Sequence, residues 1–285
     1  MQVSANNDIS EKKGAITMAI TGFYIKVNGI NIYCETNNAP DDKATIICLH
    51  TAGRENRQYH DMMNIFADKY KMISFDMPAH GKSWPLPGNK VINNYKDYGK
   101  FVWNVIQELG VDNPIVIGCS MGGNIVYHIA QEYPVRAIVS MQGSDYTPTI
   151  DERILELLNH PYVSCQHSHL EFSECLIGKA TTQERKDFIL WGVMSEIGIT
   201  KQGDLTQYNG FDVRDKMDKV TCPTLVIHGL DDQIATEEMA KATIARITNC
   251  KKLIYKPIPD YGHFILVENP EKVCEYMDEF IAQLD

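Results

Sequence analysis

The sequence predicts an α/β fold with a mostly parallel central sheet, helices on both faces and a helical segment inserted between two of the strands. Three observations predict it. Apolar runs of strand length, TIICLH, KMISFDM, PIVIG, RAIVSMQG, TLVIHG and KKLIYKPI, recur along the chain. Stretches of helical spacing separate them, and strands buried on both faces and joined by crossover helices read this way. The alternation then stops between about Ser144 and Met217, where helical pieces such as DERILELLNH and ERKDFILWGVMSEIG follow one another with no strand signal.

Each element has a local reason. Residues 1–20 are polar and mixed in charge and are expected to form a mobile tail. FYIKV and INIYCET alternate with a period of two around Asn28-Gly29, a pair suited to a tight hairpin turn. In NYKDYGKFVWNVIQELG, Tyr98, Phe101, Val102, Val105, Ile106 and Leu109 fall on one helical face, and Gly110 ends the helix. TEEMAKATIARITN and NPEKVCEYMDEFIAQL open at the capping residues Thr236 and Asn269, with Pro270 at the first helical position of the second. Residues 21–143 and 218–285 are therefore expected to form the core domain and residues 144–217 a helical cap.

Composition narrows the function classes. With 285 residues, 44% of them apolar, the chain can bury one large core. A net charge of −10 without a basic cluster argues against nucleic acid or an anionic membrane surface as partner and leaves a small-molecule substrate. The eight cysteines are dispersed, several inside apolar strand runs, which fits free thiols and a reducing, cytoplasmic setting. The first twenty residues lack the basic start followed by an apolar run that a signal peptide needs, and no run of about 18 apolar residues occurs, so neither a secreted precursor nor a membrane protein is expected. Monomer and homodimer are both open.

Chemistry concentrates at one junction. Gly118-Cys119-Ser120-Met121-Gly122 fits Gly-x-Ser-x-Gly between a strand and a helix. A serine on so sharp a turn is strained, and glycines two before and two after it remove side chains that would clash. The hydroxyl then stands at the carboxyl end of the sheet, over a helix N-terminus that favours an anion. The bland alternative is a helix-capping serine between packing glycines. A serine nucleophile, however, also needs a base, an orienting acid and an oxyanion site. HTAG follows a strand and offers the Ala52 N–H opposite that of Met121; Asp231 and Asp232 follow a later strand; His263 lies after the last one.

With Ser, Asp and His in that order, the chain resembles the α/β-hydrolase superfamily from about Phe23 to its C-terminus. DMPAHGKS is similar to the Asp-x-Pro-Gly-His-Gly-x-Ser turn of capped members, with Ala79 for the usual glycine; His80 in it is expected to be structural. The family's Gly-x-x-Asp spacing from Gly229 points to Asp232, with Asp231 as the other candidate. Thr51 replaces a usual glycine, which would bring a hydroxyl near the reacting carbonyl, and Thr236 replaces a frequent proline. The resemblance implies a serine hydrolase, carboxylesterase-like, acting on an ester or related acyl bond of a small, partly apolar substrate. Ser120, Asp232 and His263 would be catalytic, with Ala52 and Met121 as the oxyanion hole. Carbon–carbon bond hydrolysis of β-diketone-like ring-fission products is the alternative chemistry. A small-molecule receptor with a retained triad is the alternative of another class, and a cofactor-free oxygenase or perhydrolase a third. Dehalogenases and epoxide hydrolases of this kind carry aspartate where Ser120 stands.

Remaining candidates are weighed against plainer roles. Arg54 and Arg57 could hold a substrate carboxylate or form a solvated helix start with Glu55. Trp191 and Met194 could line an acyl pocket or pack into the core. Cys165, His167 and His169, with His160 nearby, have ligand-type side chains, but no second cluster completes a tetrahedral set, so neither metal nor cofactor is expected. His128 is expected to be packed or solvated and Cys119 to be a core thiol.

Overall fold

Asn28 and Gly29 take φ of 51° and 83°, both left-handed, and fold β1 (Thr21–Val27) back on β2 (Ile30–Thr36). The computed structural model describes residues 20–149, 151, 153, 156 and 165–284. Residues 1–19 of the expected tail, and almost all of the helix expected over 151–160, lie outside the described residues.

The six apolar runs become β3 (Thr45–Leu49), β4 (Lys71–Phe75), β5 (Ile115–Cys119), β6 (Ala137–Met141), β7 (Thr224–Gly229) and β8 (Leu253–Ile258). The sheet order is β1-β2-β4-β3-β5-β6-β7-β8, antiparallel at β1/β2 and β2/β4 and parallel elsewhere. The chain steps from β3 out to β4, then returns to lay β5 on the other side of β3. This reversal opens a crevice beyond the carboxyl ends of β3 and β5, the place where open parallel sheets hold their ligands.

The helices are α1 (His60–Ile65), α2 (Tyr95–Glu108), α3 (Met121–Glu132), α4 (Cys165–Glu174), α5 (Gln183–Met194), α6 (Gly198–Tyr208), α7 (Glu237–Arg246), α8 (Ile265–Glu268) and α9 (Pro270–Ile281). Alternation along the strands divides the core. Ile46, Cys48, Ile115 and Ile117 face Met62, Met63, Val273 and Met277 of α1 and α9. Ile47, Leu49 and Val116 face Tyr98, Val102, Ile125 and Val126 of α2 and α3. Each fully buried large aliphatic contributes about 1.5–3 kcal/mol relative to exposure, so the two layers, rather than helix propensity, hold the sheet. The helix starts read from sequence are capped as expected: Thr236 accepts from the Met239 N–H and Asn269 from the Lys272 N–H.

Helices α4 to α6 all lie between β6 and β7. The segment leaves and re-enters the core at one place. Thr147 N–H donates to Phe211 O at 3.0 Å and Val213 N–H to Asp145 O at 2.9 Å. Asp145 is pinned in turn by Thr243 Oγ1 at 3.0 Å and Arg246 Nη1 at 2.9 Å. No helix among the described residues is long and apolar enough to cross a membrane.

Candidate active site

Ser120 stands on the turn between β5 and α3 with φ 56° and ψ −119°. That backbone is costly for a non-glycine residue, and close packing on both sides holds it in place. A Cβ on Gly118 would overlap the Gly122 backbone, and one on Gly122 would lie 2.5 Å from the Leu49 carbonyl oxygen. Leu49 and Gly118 are register partners across β3 and β5, so the His50–Gly53 loop and the Ser120 turn emerge side by side.

β7 and β8 deliver the other two groups. Gly229 pairs with Ile258 at their ends, and Asp231 N–H donates to Tyr261 O at 2.9 Å, which ties the acid loop to the histidine loop. His263 Nε2 lies 2.7 Å from Ser120 Oγ, and Nδ1 lies 2.6 Å from Asp232 Oδ2. A carboxylate oxygen only accepts, so Nδ1 carries the proton and Nε2 keeps the lone pair that faces the serine hydroxyl. All three side chains are buried, Ser120 being 5% exposed. Burial alone would raise the Asp232 pKa; His263 and the N–H groups of Ile234 and Ala235 outweigh it and hold the carboxyl below its usual value. Of the two candidate aspartates, Asp231 points the other way, accepting from the Lys179 N–H at 3.2 Å.

Sequence reasoning missed Gln142. Its backbone turns to φ 49° just past β6, and its side chain continues the ladder that the backbone leaves. Oε1 accepts from Gly229 N–H at 2.7 Å, while Nε2 donates to Gly229 O at 3.1 Å and to Asp232 Oδ2 at 2.7 Å. The trace in the sequence is a polar residue directly after the buried strand AIVSM.

Of the oxyanion candidates, the Ala52 and Met121 N–H groups have no acceptor among the described residues. Thr51 is buried and its hydroxyl is likewise unpartnered. Arg54 and Arg57 part ways. Arg57 pairs with Glu55 at 2.5 Å and lies over the Trp191 ring at 3.9 Å, half-exposed. Arg54 is buried, with Nη2 3.4 Å from Ser173 Oγ, no partner at Nη1, and its guanidinium 5.4 Å from the Phe264 ring centre. Burial lowers its pKa, against the pull of Glu196 and Glu55. A small cavity lies between Arg54, Gln58, Phe188, Ile189, Trp191 and Phe264, and the Phe264 ring meets that of His263 edge-on at 5.3 Å.

The two pocket candidates on α5 stand in different places. Ile189 and Val193, four residues apart, form the buried stripe of α5, whereas Met194 is 62% exposed and Trp191 45%. Trp191 borders the cavity; Met194 does not. Richness in apolar residues marked this helix but not its rotational phase. His160 and the side chains of Cys165 and His167 fall outside the described residues, while His169 Nδ1 is 2.6 Å from Glu196 Oε2. Among the described residues no cluster suited to a metal ion occurs. His128 packs edge-on against Tyr95 at 5.2 Å. Cys119 lies in the core, where burial pushes its thiol pKa well up.

A family profile described as the alpha/beta hydrolase fold matches residues 44–164. The uncharacterized hydrolase YugF of Bacillus subtilis is 24% identical, over 90% of this chain and 96% of that protein. A 2-hydroxy-6-oxononadienedioate/2-hydroxy-6-oxononatrienedioate hydrolase of Cupriavidus pinatubonensis is 26% identical, over 94% of this chain and 98% of its own length. Among solved structures, an enol-lactonase from Burkholderia xenovorans LB400 superposes with a TM-score of 0.79 at 15% identity, covering 91% of this chain and 100% of that one.

Proposed function

We propose that the chain is a serine hydrolase of the α/β-hydrolase superfamily, whose fold profile matches residues 44–164, and that it cleaves an ester or related acyl bond of a small, partly apolar substrate. One observation carries the reading: the unbroken hydrogen-bonded line from Ser120 through His263 to Asp232, with the serine on a strained turn of positive φ. As Ser120 Oγ attacks the carbonyl carbon, its proton passes to His263 Nε2. Asp232 keeps the imidazole in the tautomer that accepts there and stabilises the imidazolium that results. The oxyanion is bound by the Ala52 and Met121 N–H groups, the latter at the N-terminus of α3. The imidazolium protonates the leaving group, and water, activated by the same histidine, releases the acyl group. Residues 144–217 act as a cap that covers this site and selects the substrate.

Carbon–carbon hydrolysis of a carboxylate-bearing β-diketone is the second reading. Buried Arg54, with Nη1 unpartnered, favours it, as does the substrate in the name of the Cupriavidus relative. A fluorophosphonate and p-nitrophenyl acetate test the proposal. Wild type should be labelled and turn over repeatedly, while Ser120→Ala folds, is not labelled and loses about 10⁴- to 10⁶-fold in kcat. Equal labelling of both proteins would remove Ser120 from the mechanism, and one-turnover acylation would favour a receptor.

A further inference from the structure

The Ala52 N–H is only as well aimed as the two peptide planes that flank it. A trans peptide sets its C=O and N–H in opposite directions, so holding Thr51 O fixes the direction of Ala52 N–H. Two donors hold that oxygen, His50 Nδ1 at 2.9 Å and the Arg54 N–H at 3.0 Å. The next plane is held from far away in sequence. Gly53 N–H donates to Asp204 Oδ2 at 2.7 Å, and Asp204 lies on α6, between β6 and β7. Gly53 itself is left-handed, φ 64°, and a Cβ there would collide with the Glu196 carboxylate, so this loop cannot stiffen itself by substitution.

The histidine of the DMPAHGKS turn supports the same oxygen. His80 Nε2 is 2.9 Å from Asp204 Oδ2 and Nδ1 is 3.1 Å from Pro78 O. Both partners accept, so both ring nitrogens donate and His80 is an imidazolium paired with the Asp204 carboxylate. The neighbouring His50, 4.7 Å away between ring centres, is read differently: its Nδ1 faces Thr51 O, but its Nε2 accepts from Met77 N–H at 3.1 Å, which makes it neutral. Asp204 is 1% exposed and His80 4%, so neither charge has water to fall back on. Removing one partner of such a buried pair is costly.

We propose that Asp204 is a positioning residue for the oxyanion hole: the helical segment between β6 and β7 supplies the carboxylate that fixes Gly53 and thereby aims Ala52, and His80 supplies its counter-charge. The inference rests on the serine-hydrolase reading. It gives the inserted segment a part in the chemical step and takes His80 out of the purely structural role expected from sequence.

The test uses p-nitrophenyl acetate and compares kcat per site, counted by fluorophosphonate titration, in wild type, Asp204→Asn and Asp204→Ala. Loss of Asp204 should lower kcat per site by about 10- to 100-fold while KM stays within about twofold. Inhibition by a trifluoromethyl ketone, whose adduct carries an oxyanion, should weaken in parallel. The Asn variant, which keeps an acceptor for Gly53 but loses the charge, should fall between, and it carries the test if the Ala variant does not fold. Unchanged kcat per site in folded variants, or a loss confined to KM, overturns the assignment. An active Ser120→Ala protein instead overturns the reading beneath it, so the two failures are told apart.

Discussion

Replacing Gln142 by methionine keeps an unbranched side chain of similar length and deletes three hydrogen bonds at once, those to Gly229 N–H, Gly229 O and Asp232 Oδ2. What each partner retains sets the cost. Gly229 O keeps the Asp232 N–H at 3.3 Å, and Asp232 Oδ2 keeps His263. Only the Gly229 N–H is orphaned in the interior, at about 1–3 kcal/mol, with about 1 kcal/mol for each bond whose partner stays satisfied. We expect a total of about 3–5 kcal/mol, read as a lower urea midpoint at unchanged slope. The effect on rate is smaller than loss of the acid. Asp232 still accepts from Ile234 and Ala235 N–H at 2.9 and 3.2 Å, so its carboxylate loosens without leaving His263. About a tenfold fall in kcat for p-nitrophenyl acetate per titrated site is expected. An unchanged urea midpoint with unchanged kcat would refute the clamp; a loss as large as that of Asp232→Asn would refute the claim that the remaining contacts hold the acid.

The acid itself separates cleanly from its neighbour: Asp232→Asn should lower kcat by about 10⁴, because the imidazole can then adopt the wrong tautomer, and Asp231→Asn should change it by less than about threefold. The opposite ranking would move the acid by one residue. A pH dependence follows from His80, whose pKa burial would lower but which Asp204 and Glu196 raise above its ordinary 6.5. A raised folded pKa means that the stabilisation is fully present below about 6.5 and disappears as pH rises through the folded value. The Tm gap between wild type and His80→Gln should therefore be widest near pH 6 and shrink toward pH 10; a gap independent of pH would show that His80 is not charged.

The strands were legible because burial of the central ones on both faces writes mostly apolar runs, and the Ser120 turn because its packing demands glycine at two fixed offsets, Gly118 and Gly122. Asp232 was expected from the Gly-x-x-Asp pattern that the family resemblance implies, and its carboxylate lies 2.6 Å from His263 Nδ1. Gln142 and Asp204 were not expected, for different reasons. Gln142 acts by replacing a backbone group at the end of a strand, a role that imposes no spacing on its neighbours. Asp204 meets Gly53 and His80 across 151 and 124 residues of chain, so no local window contains the interaction. The pattern in FILWGVM is rich without being periodic, so it did not show which residues of α5 face inward; the fold shows that Ile189 and Val193 take the inside and that Trp191 borders the cavity.

The meeting of Tyr146 and Asp212 in a single antiparallel bridge has an evolutionary side. A segment whose two ends arrive hand in hand can be exchanged for a longer or shorter one without disturbing the sheet that carries it, and new specificities are cheaply explored that way. Asp204 constrains the exchange. A replacement segment that brings a new pocket but no acceptor for Gly53 would inherit the nucleophile, base and acid and still start as a slow enzyme. On that proposal, a remodelled insert would have to keep one carboxylate within reach of the Gly53 N–H and His80.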